Sequence, residues 1–242
     1  MASVKTKYVI MAGGPAKRWN NYLGVRKHFC EIRGDTLLGR TLRLLKDGCA
    51  SDINVVGPPE ANDFYLSCGF SIMNVRFYLS RRIGPAAIYE VFDFDKNRIT
   101  GFDGLWEPQG RTVVLFGDVY FTDDAMDKIM NQNHDTECGY CWFARPNKSK
   151  ITGCPHREIF AISFRHWAAG KLGAILWAML HSYNTGKLQR AGGWELYAYL
   201  EGFDPDEATK GKGYVVIDDE TEDFDNEGDY KRWMKNVEGI SL

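Results

Sequence analysis

The chain has 242 residues, of which 44% are hydrophobic and 14% aromatic, and its formal net charge is −2. This apolar content supports a full core and excludes a largely disordered chain. The near-neutral charge gives no general affinity for nucleic acid or an anionic membrane, so any phosphate binding has to be local. Neither a membrane span of roughly 18 apolar residues nor a signal peptide is recognisable. We therefore expect a cytoplasmic protein.

The first predicted element is a short apolar strand, from Tyr8 to Met11, that runs directly into a glycine-containing basic loop. Paired glycines at the end of a strand expose backbone N–H groups at the edge where α/β proteins bind ligands. Arg18, at the end of the loop, and Lys27 further along add positive charge around those groups. The combination favours a polyphosphate site, and the alternative is a glycine turn with solvated basic residues.

Strand and helix signals alternate through residues 1–136. Leucines at a spacing of three and four predict a helix from Leu37, capped by Asp35 or Thr36. Further strands are predicted at 53–56, 75–79 and 112–116, and further helices at 84–94 and 123–130. Because nearly continuous apolar strands alternate with helices, we predict an α/β fold with a mostly parallel central sheet and helices on both faces.

The pattern changes from residue 137 onwards. Strands are predicted at 138–143, 158–164 and 214–217, and helices at 166–183, from Trp194 and at 227–236. No linker separates this part from residues 1–136, and the sequence contains no internal repeat. We therefore predict a single domain over residues 1–242, in which 137–242 form an α+β elaboration of the same sheet.

Two acidic segments are candidates for metal binding. Asp118 directly follows the strongest predicted strand, where a phosphate-bound Mg²⁺ or Mn²⁺ needs an oxygen ligand. The alternative is that it begins a turn or caps the next helix, although Asp123 and Asp124 are better placed for that cap. The acidic run 218–229 is mostly a solvated loop by composition. One of its aspartates facing Asp118 would complete the metal site. Asp225 is the first choice and Asp219 the alternative.

These segments together resemble the nucleotidyltransferases of the GT-A fold, which include sugar-phosphate and molybdopterin nucleotidyltransferases. That family opens with a strand and the loop A-G-G-x-G-x-R, followed by P-K, and carries an aspartate after a central strand and an acidic segment before the last helix. The matching segments here are Ala12-Gly13-Gly14-Pro15-Ala16-Lys17-Arg18, Arg26-Lys27, Phe116-Gly117-Asp118 and Phe224-Asp225-Asn226-Glu227-Gly228-Asp229. Ala16 replaces the third loop glycine, and Arg26 replaces the proline.

The resemblance implies an Mg²⁺-dependent (or Mn²⁺-dependent) enzyme that transfers a nucleoside monophosphate from a nucleoside triphosphate to a phosphorylated acceptor, such as a sugar phosphate, and releases pyrophosphate. We expect residues 1–136 to form the nucleotide-binding part, and 137–242 to form the acceptor side and to supply the second metal ligand. The implied site residues are the following: Ala12, Gly13, Gly14 and Arg18 for the β- and γ-phosphates, Lys27 for charge between the α-phosphate and the acceptor, Asp118 and Asp225 for the metal, and Arg82 and Gly84 for the base and ribose.

The acceptor side is predicted from composition alone. Trp194 and Glu195 could stack on and hydrogen-bond to a sugar ring, and the alternative is that Trp194 is core and Glu195 stabilises a helix N-terminus. Two other functions remain open. A glycosyltransferase of the same fold would use a nucleotide-sugar donor, whose diphosphate demands less of a loop carrying Ala16. The other is a non-catalytic nucleotide-binding module.

Overall fold

The structure is a computed structural model that describes residues 5–13, 18–57, 76–79, 106–132, 138–188, 193–202 and 214–242. For 76–79 the description covers the backbone alone, and it leaves out the side chains of Leu180 and Trp194. The predicted helix at 84–94 and the predicted site residues Gly14, Arg82 and Gly84 lie outside the described residues.

The described strands form a central sheet and two short ribbons. They are β1 (Thr6–Met11), β2 (Glu31–Ile32), β3 (Asp35–Thr36), β4 (Ile53–Gly57), β5 (Arg76–Leu79), β6 (Arg111–Phe116), β7 (Val119–Tyr120), β8 (Tyr140–Arg145), β9 (Glu158–Arg165), β10 (Tyr214–Val216) and β11 (Glu222–Asp223). The central sheet has seven strands in the order β10–β8–β9–β6–β1–β4–β5. Within it, β9 alone runs antiparallel to its neighbours β6 and β8, so the sheet is mostly parallel. The ribbons pair β2 with β3 and β7 with β11.

The described α-helices are α1 (Leu37–Asp47), α2 (Asp123–Asn131), α3 (Ala169–Asn184), α4 (Gly193–Glu201) and α5 (Glu227–Glu238). Thr36 caps α1, because its hydroxyl accepts a hydrogen bond of 3.0 Å from the amide of Gly39. The prediction that Asp123 or Asp124 caps α2 is wrong. Thr122 is the cap, and both aspartates lie in the first turn, where the helix dipole favours carboxylates. Within the described ranges, no helix combines the length and apolarity that a membrane crossing requires.

Helices cover both faces of the central sheet, as its strands require. Val9 and Ile10 are neighbours on β1, yet they belong to different core clusters, because successive strand residues point to opposite faces. Ile10 packs in the cluster that contains Leu42 of α1, whereas Val9 packs in the cluster that contains Leu172 of α3. The predicted mostly parallel α/β sheet is therefore confirmed.

A third core cluster fixes the last helix against the first half of the chain. Its buried aromatic side chains are Trp19, Tyr120, Phe224, Tyr230 and Trp233. The rings of Tyr120 and Trp233 lie 4.6 Å apart between centroids, and Phe224 meets Tyr230 edge-on at 5.8 Å. Such ring pairs stabilise beyond the area that they bury. The cluster therefore holds the segments on either side of Trp19 and Phe224 in defined positions.

Candidate active site

The site begins where β1 and β6 end side by side. Met11 pairs with Phe116, and the amide of Gly117 donates to the carbonyl of Met11 at 3.0 Å. A Cβ atom on Gly117 would lie 3.0 Å from that carbonyl oxygen and 3.1 Å from the Cβ of Ala12. Glycine at this position therefore allows the close approach of two strand ends and places Asp118 directly beside the end of β1.

Replacing Gly117 with alanine is expected to lower the free energy of unfolding by about 1–3 kcal/mol, because the added methyl group overpacks two backbones. Urea denaturation of the purified protein measures the change. Gly170 on α3 is the control, since a Cβ there meets nothing within 4 Å. Equal stability of the two alanine variants would contradict the close-approach argument.

The backbone amide of Ala12 is already used within the sheet. It donates to the carbonyl of Val56 at 2.7 Å, and Ala12 is fully buried. This N–H group therefore continues the hydrogen bonding between β1 and β4. Any amide cradle for a phosphate has to be built from the residues that follow, beginning with Gly13.

Lys27 is buried and its ammonium forms an ion pair with the carboxylate of Asp118. Burial opposes a charge on Lys27, yet Asp118, Asp223 and Asp225 together raise its pKa above the ordinary value of lysine. Burial would also raise the pKa of Asp118, but the Lys27 ammonium holds it below its ordinary value. The pair is therefore fully charged near neutral pH.

Arg26 takes the backbone conformation that a proline would impose. Its φ is −67° and its ψ is 148°, and the proline ring fixes φ near −65°. The one-turn helix Lys27–Phe29 follows directly and directs Lys27 towards Asp118. Arg26 therefore departs from the family pattern in its side chain, while its backbone angles are ones that proline also adopts.

The β7–β11 ribbon brings the acidic run to the same place. Asp223 pairs with Val119, and the amide of Phe224 donates to the carbonyl of Asp118 at 3.3 Å. Because side chains alternate along an extended chain, Asp223 and Asp225 share one side while Phe224 points into the aromatic core. Sequence reasoning missed Asp223, although the acidic–apolar–acidic alternation of residues 223–225 was a signal for it.

Carboxylates outnumber cations in this cluster. Burial raises the pKa of Asp223 well above its ordinary value, and Asp118 raises it further. Burial raises the pKa of Glu158, at the start of β9, to about 8, and the charge of Asp225 contributes. Burial is the larger cause of both shifts, and the neighbouring carboxylate charges add to it.

Arg18 lies at the open side of the cluster. Its Nη2 donates to Oδ1 of Asp225 at 2.5 Å, and its side chain is 61% exposed. The neighbouring Trp19 is buried, and its indole N–H donates to the carbonyls of Tyr22 and Val25. Trp19 therefore anchors the segment that presents Arg18 to Asp225.

Asp219, the alternative metal ligand, is engaged elsewhere. Its carboxylate accepts hydrogen bonds from the hydroxyl of Thr122 at 2.7 Å and from the amide of Thr221 at 2.8 Å. Asp219 therefore stabilises the N-terminus of α2 through the capping residue Thr122. Of the two candidates from the acidic run, Asp225 is the one that interacts electrostatically with Lys27.

The donor set is compatible with a divalent cation. Oδ1 of Asp223 is buried and accepts no hydrogen bond from the described part of the chain. No group of three or more His, Cys, Asp or Glu side chains among the described residues is arranged to hold a metal. Mg²⁺, however, commonly takes one or two carboxylates and completes its shell with phosphate oxygens and water. Asp118 and Asp225 could hold Mg²⁺ or Mn²⁺ in that way, together with a phosphate ligand.

Glu195 lies in the first turn of α4 and is buried. A carboxylate there is favoured by the helix dipole. The next residues, Leu196 and Tyr197, belong to the core cluster beneath α3. This location agrees with the structural alternative for Glu195, and its role in binding a sugar stays a prediction.

Comparison with known proteins gives the fold a class. No protein-family model matches the chain, and no curated protein matches it. A Bacillus anthracis protein that carries the name glucose-1-phosphate thymidylyltransferase superposes with a TM-score of 0.59 at 15% identity, over 98% of this chain and 97% of that one. The CTP:phosphocholine cytidylyltransferase of Streptococcus pneumoniae gives 0.51 at 13% identity, over 95% and 97%. Rv0371c of Mycobacterium tuberculosis gives 0.58 at 16%, over 97% and 100%. The chain thus has the fold of nucleotidyltransferases, as the resemblance implied.

Proposed function

We propose that this protein is a cytoplasmic nucleotidyltransferase that transfers a nucleoside monophosphate from a nucleoside triphosphate to a phosphorylated acceptor, such as a sugar phosphate. The grouping of Lys27 with Asp118, Asp223 and Asp225 carries the proposal. It lies beside the ends of β1 and β6, in a fold shared with proteins named for thymidylyl and cytidylyl transfer. Those two proteins are named for phosphorylated acceptors, glucose 1-phosphate and phosphocholine, which supports an acceptor of that kind.

In the proposed reaction, an oxygen of the acceptor phosphate attacks the α-phosphorus of the triphosphate. A new P–O bond forms there, the bond to the bridging oxygen of the β-phosphate breaks, and pyrophosphate leaves with the electron pair. No protein nucleophile is required, so the protein contributes positioning and neutralisation of charge. A bound divalent cation would supply further neutralisation of phosphate charge.

The residues have separate tasks in this proposal. Lys27, which stays protonated, neutralises charge between the α-phosphate and the acceptor. Arg18, largely exposed beside Asp225, contacts the β- and γ-phosphates together with the amides of Gly13 and Gly14. Asp118 and Asp225 hold Mg²⁺ or Mn²⁺. We also keep as proposals that Arg82 and Gly84 contact the base and ribose, and that Trp194 and Glu195 contact the acceptor.

The test is to incubate the protein with ATP, CTP, GTP, UTP or dTTP, Mg²⁺ and a panel of sugar phosphates and phosphocholine. We expect pyrophosphate to appear together with a nucleotidyl product of matching mass, and both to disappear when EDTA removes the metal. Cleavage of a UDP- or GDP-sugar without pyrophosphate would instead indicate the glycosyltransferase. Nucleotide binding without any product would indicate the binding module.

A further inference from the structure

A groove of about 540 Å³ opens beside Asp225. One wall is the segment 152–156 between β8 and β9, which includes His156, and the other wall is formed by Arg18 and the first turns of α5. Its volume lies within the range typical of small-molecule sites. Because Asp225 belongs to both the groove and the acidic cluster, the groove leads directly to the proposed catalytic centre.

Two arginines line this groove in equivalent ways. Arg18 donates to Asp225 at 2.5 Å, and Arg232 donates to Asp229 at 2.7 Å. The side chains remain 61% and 51% exposed, respectively. A guanidinium group has five N–H donors, and a contact to one carboxylate oxygen leaves most of them for a ligand. Each arginine is therefore oriented by an aspartate and still able to bind an anion.

The aspartate behind Arg232 is held firmly. Asp229 is buried, and its second oxygen accepts a hydrogen bond of 2.7 Å from the side chain of Asn226, the cap of α5. Because Asp229 is already fixed, the side chain of Arg232 is partly ordered before a ligand binds. Binding therefore costs it less conformational entropy.

Arg232 also lines a second cleft on the other side of the 152–153 segment. This cleft has a volume of about 710 Å³, and its lining includes Lys148 and Lys150 and no carboxylate. Lys150 is itself paired with Asp218 at 2.7 Å, whereas Arg232 is the cation common to both clefts. On this side Arg232 therefore has lysines and no carboxylate as neighbours, whereas Asp225 and Asp229 in the groove are each already paired with an arginine.

We propose that Arg232 is a substrate-binding residue that, together with Arg18, holds a phosphate group in this groove. This inference rests on the proposed function, which supplies two substrates that carry phosphate. The bound group is either the phosphate of the acceptor or the β- and γ-phosphates of the nucleotide. Paired guanidinium groups suit a phosphate because they donate several parallel hydrogen bonds to its oxygens.

The experiment measures the binding of inorganic pyrophosphate by isothermal titration calorimetry in the presence of Mg²⁺. We expect Arg232→Ala to weaken binding by about tenfold to a hundredfold, as the loss of hydrogen bonds from a charged group predicts. Arg232→Lys should restore part of the affinity, because it keeps the charge without the planar fork. Arg43→Ala is the matched control, since Arg43 is 47% exposed and paired with Asp35 and Asp47 outside the groove. Its affinity should equal that of the wild type.

Two further titrations distinguish the source of the phosphate. Weaker binding of glucose 1-phosphate to Arg232→Ala would indicate the acceptor, and weaker binding of a non-hydrolysable α,β-methylene nucleotide would indicate the triphosphate. Equal affinities of Arg232→Ala and Arg43→Ala for all three probes, or no binding of any probe to the wild type, would overturn the proposal. The assay for nucleotidyl transfer tests the proposed function independently of these titrations. If the wild type forms a nucleotidyl product but Arg232→Ala binds all three probes normally, the role of Arg232 is refuted and the proposed function stands. If Arg232→Ala binds the probes more weakly but the wild type forms no product, the proposed function is refuted and the phosphate site stands.

Discussion

Replacing Asp118 with asparagine is expected to lower the turnover of nucleotidyl transfer by about 100- to 1000-fold, the usual effect of losing one group that stabilises charge in the transition state. Asparagine keeps the size of the side chain and removes its charge. The substitution therefore takes away the negative charge of one ligand of the proposed metal and the ion-pair partner of Lys27. The measurement is the rate of pyrophosphate release at saturating nucleotide and acceptor.

The control for Asp118 is Asp123→Asn. Asp123 is also an aspartate, in the first turn of α2, but its side chain is 76% exposed and pairs with Arg40. Its variant should keep the turnover of the wild type. If Asp118→Asn retained turnover within about twofold of this control while folded by circular dichroism, the assignment of Asp118 to the catalytic centre would be wrong.

Lys27→Ala provides a second arm of the same test. Residues that act as a unit show non-additive losses, because the first substitution already removes most of their joint contribution. The double variant of Lys27 and Asp118 should therefore be little slower than the slower single variant. Additive losses would indicate that the two side chains act on the reaction independently.

The sequence predicted the elements whose local signals were strong. The spacing of the leucines located α1, and the apolar runs located β1, β4 and β6 within one or two residues. Strand–helix alternation predicted the mostly parallel sheet because such strands bury both faces. The pairing of Asp118 with Asp225 was expected because each aspartate follows a predicted strand and Mg²⁺ needs few protein carboxylates. The role of Lys27 beside them followed from the family resemblance.

The missed features depend on tertiary pairing. Strands β7 and β11 have two residues each, too short for a periodic pattern, so the acidic run was predicted as a loop. Their pairing explains why Asp223 faces the site and Glu222 faces away from it. The capping of α2 by Thr122 was missed because the adjacent aspartates are equally good caps by residue type.

The ion pair between Glu222 and Arg145 could not be predicted from the sequence either. Breaking it gives the second large effect that we expect. Glu222 is buried and forms an ion pair of 2.5 Å with Arg145, which is buried as well. Its other oxygen accepts hydrogen bonds from the hydroxyls of Ser149 and Thr152. Glu222 therefore ties the β7–β11 ribbon to the segment that forms one wall of the groove.

Glu222→Ala is expected to lower the free energy of unfolding by about 3–5 kcal/mol, because it leaves the charge of Arg145 buried without its partner. Nη2 of Arg145 already lacks a hydrogen-bond acceptor within the described part of the chain, and Nε donates to the carbonyl of Asn147 at 3.2 Å. Glu158, which pairs with Arg145 across β8 and β9, is the nearby carboxylate that could reduce the loss. Urea denaturation at pH 7 measures the change, with the m-value as a check that the unfolded state is unaltered.

Two further variants separate the buried charge from other causes. Replacing both partners, as Arg145→Met with Glu222→Leu, should recover part of the lost stability, since an apolar pair of similar volume carries no desolvation penalty. The recovery stays incomplete because the hydroxyls of Ser149 and Thr152 lose their acceptor. Asp218→Asn breaks the exposed pair with Lys150 on the same acidic run and should change the free energy of unfolding by at most about 1 kcal/mol. A loss for Glu222→Ala no greater than that of Asp218→Asn would show that Arg145 finds another partner or water.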